Sequence, residues 1–83
     1  MRTTRIDIEG KDGYYASITR KKNTDWIDIE ILTPDVIAGV AVPADSADEQ
    51  RIAARHMFHE LNGRNANASE ADQYFRVIET LAD

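Results

Sequence analysis

Trp26-Ile27-Asp28-Ile29-Glu30-Ile31 is the stretch on which the fold turns. Isoleucine alternates with an indole and two carboxylates, and a period of two sends successive side chains to opposite faces of an extended chain. The stretch reads as a strand with Ile27, Ile29 and Ile31 inward and Trp26, Asp28 and Glu30 outward. Towards the N-terminus, Lys21-Lys22-Asn23-Thr24 supplies a turn. Before it, Tyr14 to Arg20 repeats the pattern, with Tyr14, Ala16 and Ile18 on one face and Tyr15, Ser17 and Thr19 on the other. Gly10-Lys11-Asp12-Gly13 makes a second turn, because glycine tolerates the positive φ of tight hairpins. Ahead of it, Thr4, Ile6 and Ile8 alternate with Arg5, Asp7 and Glu9. Three strands joined by short turns predict an antiparallel meander.

Downstream of Ile31 the pattern weakens. Thr33-Pro34-Asp35 breaks the run, since proline cannot donate to a ladder. Val40-Ala41-Val42, after Gly39 and ended by Pro43, reads as a short fourth strand. Val36-Ile37 fits either its start or one turn of helix, so the extent of a strand within residues 34–42 stays open. Past Pro43 the period becomes 3.6. Ser46-Ala47-Asp48-Glu49 has capping-box spacing, and a first helix is expected over 46–62, ending at Asn62-Gly63. Its apolar side is Ala47, Ala53, Ala54, Met57, Phe58 and Leu61, with Arg51, Ile52, Arg55, His56 and His59 opposite. Ser69, followed by Glu70 and Asp72, is expected to cap a second helix over 69–82, with Ala71, Tyr74, Phe75, Val77, Ile78, Leu81 and Ala82 on one wide face.

The expected fold is therefore α+β, in the order β-β-β-(β)-α-α, with an antiparallel sheet over 1–43 and both helices on one sheet face. Ile6, Ile8, Ile18, Ile27, Ile29 and Ile31 should lie under Met57, Phe58, Phe75, Ile78 and Leu81. The 83 residues, 42% hydrophobic and 30% charged, fit one domain with one modest core. Cysteine is absent, which excludes disulfides, a thiolate nucleophile and any sulfur-ligated metal site. Neither a signal-like apolar run nor a membrane-length one occurs, so a cytoplasmic location is expected.

Charge is unevenly distributed. Residues 1–22 carry +3 and residues 23–50 carry −7 with no Lys or Arg, within a net −5. Such an acidic block repels phosphate backbones and attracts basic surfaces. It also simply solvates a face.

Catalytic and cofactor chemistry has little to stand on. His56 and His59 share a helix face near Glu60, but no further histidine completes a metal shell, and no metal or other cofactor is expected. Ser46 and Ser69 are assigned to helix caps, and Ser17 lies on a strand without a nucleophile-elbow pattern. No phosphate-binding or dinucleotide motif occurs. The chain is expected not to be an enzyme.

Binding is the remaining expectation. Trp26, with Tyr15 on the adjoining strand, is expected to centre an aromatic patch ringed by Arg5, Thr19 and Asp28, and aromatic residues dominate hot spots. Tyr15, Trp26, Asp28 and Glu30 are thus the candidate partner-binding residues of a regulatory protein-binding module, its partner carrying a basic surface. One concrete form is an inhibitor that presents carboxylates where phosphates would sit in a nucleic-acid channel. Small acidic inhibitors of phages and mobile elements, anti-CRISPR proteins among them, are of this general class, although no motif assigns the chain to them. The alternative is a nucleic-acid-binding regulator using Arg20, Lys21 and Lys22, with Arg2 and Arg5, as a basic corner. A third reading is a homodimer joined through the helices.

Overall fold

Each alternating segment needs one wet and one dry face, and a meander with helices on a single side provides both. The computed structural model describes residues 3–11, 13–21, 23–35 and 37–82, the side chains of Thr3 and Lys21 excepted. The elements are β1 (Thr3–Glu9), β2 (Tyr15–Lys21), β3 (Trp26–Leu32), β4 (Ile37–Pro43), α1 (Ala47–Asn62) and α2 (Ala68–Ala82). The strands pair antiparallel in the order β1-β2-β3-β4. The α+β order read from the sequence is thus the observed one, with the fourth strand complete.

The register sets the core. Ile6 faces Ile18 and Ile18 faces Ile29, while Ile8 and Ala16 line up with Ile31. Ala16, Ile18, Ile27, Ile29 and Ile31 are buried together with Val42 under Ala53, Ala54, Met57, Leu61, Phe75, Ile78 and Leu81. Each fully buried isoleucine removes enough apolar surface from water to contribute about 1.5–3 kcal/mol. Ile6 and Ile8 on the outer strand are only half-buried against this cluster. Phe58 meets Tyr74 edge-on, with centroids 5.1 Å apart, which closes the seam between the helices.

Local chemistry fixes the ends. Ser46 Oγ accepts from the Glu49 N–H, while the Ser46 N–H turns back to the Pro43 carbonyl, so the box is used in one direction only. Ala47 follows the cap too closely to reach the core and is exposed. Gly63 stops α1 in the left-handed region at φ 72°, its N–H donating to the His59 carbonyl. The cap of α2 is Asn67 rather than Ser69: Asn67 Oδ1 accepts from the Glu70 N–H at 2.8 Å, and Glu70 Oε1 accepts from the Asn67 N–H at 3.1 Å. A reciprocal pair satisfies two orphan donors at once, which a serine two residues later does not. At the β1–β2 turn, Gly13 takes φ 74° and Gly10 abuts Leu61 of α1, whose carbonyl accepts from the Lys11 N–H at 2.9 Å.

Candidate docking face

Because α1 and α2 cover the isoleucine side, the opposite side of the sheet has no covering layer among the described residues. Parity along each strand decides who stands there. One row across the sheet is Arg5, Thr19, Asp28 and Ala41, the next is Asp7, Ser17, Glu30 and Gly39, and the third is Glu9, Tyr15, Leu32 and Ile37. Trp26 lies beyond the first row, paired with Pro43. The candidate residues Tyr15, Trp26, Asp28 and Glu30 therefore share this face, and all four are exposed.

They do not form one aromatic patch. Tyr15 pairs with Leu32, six positions along β3 from Trp26, a separation of about 20 Å at strand rise. Alternation tells which face a side chain takes but is silent on its position along the strand. Trp26, 53% exposed, instead borders the Asp28 row, and Tyr15 stands in the row at the far end of the sheet.

The face is acidic. Asp7 and Glu9 stand on it with Asp28 and Glu30, and their alternation with Ile6 and Ile8, which take the opposite face, is the sequence signal that identifies the first two. Arg5 Nε donates to Asp7 Oδ1 at 3.0 Å. That guanidinium holds the Asp7 carboxyl below the usual carboxylate range, with the Ser17 hydroxyl adding to the effect. Ser17 is sunk between Asp7 and Glu30, and Gly39 opposite Glu30 leaves a shallow depression bounded by Asp28, Glu30 and Ala41. The centre is thus flat, small and polar, with the large side chains at its margins.

The basic corner fares differently. Arg20 shares parity with Ile18 and turns inward, where its Nη1 donates to the Leu81 and Ala82 carbonyls at 2.9 and 2.5 Å and its Nη2 to the Thr24 carbonyl at 3.3 Å. It ties down the last turn of α2, so these guanidinium donors are engaged within the fold. Lys21 pairs with Thr3 in the ladder, and Lys22 and Arg2 lie outside the described residues.

His56 and His59 are exposed on α1, with His56 Nε2 4.0 Å from Glu60 Oε1. Among the described residues no three His, Asp or Glu side chains converge as metal ligands. Both histidines lie on the helical side of the sheet, away from Ser17. No described helix is long and apolar enough to cross a membrane. Comparison with protein-family models, with curated proteins and with solved structures finds no match.

Proposed function

We propose that the protein is a non-catalytic binding module that docks its open sheet face onto a protein partner with a basic surface. The observation that carries this reading is an uncovered face on which a half-exposed tryptophan stands beside Asp28, within a field of four carboxylates and one described arginine. An indole supplies a large apolar contact at low entropic cost, and carboxylate rows steer and align a cationic surface. Strand-borne carboxylates are held in register, as a row of phosphates would be. An inhibitor that occupies a nucleic-acid channel is the concrete form that fits.

The test is affinity capture from nuclease-treated host extract, followed by titration of the purified captured protein. Replacing Trp26, Asp28 and Glu30 together by alanine should leave the circular dichroism unchanged and weaken binding by about thirtyfold or more, as expected when a hot spot of about 2 kcal/mol is removed. Equal affinity of the triple variant would reject the face, and capture that disappears with nuclease would point to nucleic acid instead.

A further inference from the structure

The two edges of the sheet are unlike. β1 carries Arg5, Asp7 and Glu9, the charges with which natural edge strands discourage pairing. β4, Ile37-Ala38-Gly39-Val40-Ala41-Val42-Pro43, has no charged residue and pairs on one side only, with β3. Five of its seven residues are exposed, Ile37 at 70% and Val40 at 43%. Above it, α1 exposes Ile52 at 68%, and Val40, Val42, Ile52 and Ala53 line an open apolar cleft between strand and helix, with Glu49 and His56 at its rim. Unpaired backbone groups beside an apolar cleft are a template for another strand.

The charges of α1 indicate whose strand. Counted from Ile52, acids stand four and three residues before it, at Asp48 and Glu49. Bases stand three and four after it, at Arg55 and His56, and all are exposed. A two-fold axis that sets β4 antiparallel to β4 brings the two α1 helices together antiparallel, Ile52 beside Ile52. Asp48 and Glu49 of each copy then meet His56 and Arg55 of the other. A surface that is its own complement under a two-fold is what an isologous dimer requires.

We infer that β4 and the Ile52 side of α1 form a homodimer interface that joins two four-stranded sheets into one continuous sheet. The interface takes the backbone edge of β4 and the helix side and leaves the outward face with Trp26 open, so the dimer presents two such faces on the same side of the joined sheet.

The solution mass, measured by sedimentation across the micromolar range, tests this. The wild-type chain should reach twice its 9.4 kDa, and so should Trp26→Ala. Val40→Lys and Ile52→Lys should each remain at the monomer mass with unchanged circular dichroism. Because a core-adjacent lysine could disturb folding, charge exchange on the exposed helix face is the second arm. Glu49→Lys alone and Arg55→Glu alone each turn two attractive pairs into repulsive ones, so each should weaken self-association roughly tenfold. An equimolar mixture of the two restores both pairs and should regain the dimer. A single 9.4 kDa species for the wild type, a dimer indifferent to Val40→Lys and Ile52→Lys, or a mixture that stays monomeric would each overturn the inference.

Discussion

Gly10 and Glu70 show how much single positions decide. A methyl added at Gly10 would overlap the carbonyl oxygen and Cβ of Leu61, backbone and near-backbone atoms that cannot swing aside. Gly10→Ala should therefore lower stability by about 1–3 kcal/mol, the usual range for overpacking, as read from urea unfolding. At Glu70, Arg64 Nη1 and Nη2 lie 2.9 and 2.6 Å from the two carboxylate oxygens. That ion pair, with the Asn67 N–H, holds the carboxyl down to about 2 against an ordinary 4.5. A depressed acid stabilises the fold in its ionised form. Its contribution is complete above pH 4.5 and is lost as pH falls towards 2. Glu70→Gln should be less stable than wild type at neutral pH, with the gap narrowing over that acid window in unfolding curves taken at stepped pH. A gap of constant size would show that the pairing is not linked to folding.

At the level of the elements, α2 depends on a strand residue for its final turn. Arg20→Ala removes the donors that satisfy the Leu81 and Ala82 carbonyls and should cost about 1.5 kcal/mol, with faster amide exchange confined to the end of α2. Arg20 could be placed from the sequence, since it shares parity with Ile18, but a run of three cations draws attention to charge instead of face. β3 was fully legible because its two faces differ in solvent, which writes a period of two into the chain. β4 was legible only in part: with nearly every side chain exposed on both faces, no polar–apolar contrast is imposed on Ile37 to Ala41. The start of α2 was blurred by two cap-forming residues close together, and the three-residue spacing from Asn67 to Glu70 is the cue that separates them. Ile52 was legible as an outlier among Arg51, Arg55 and His56, yet its partner surface on β4 exists only after folding.

For the whole molecule, one-sided packing divides the labour. Stability resides between sheet and helices, so the Trp26, Asp28 and Glu30 triple variant should melt within about 1 kcal/mol of wild type, as surface changes usually do, while its binding fails. The sole tryptophan stands outside the core and is already half in water when the chain is folded. Its emission should therefore shift little when urea unfolds the protein and move to the blue when the open face is covered, so that one intrinsic fluorophore is nearly blind to unfolding and sensitive to complex formation.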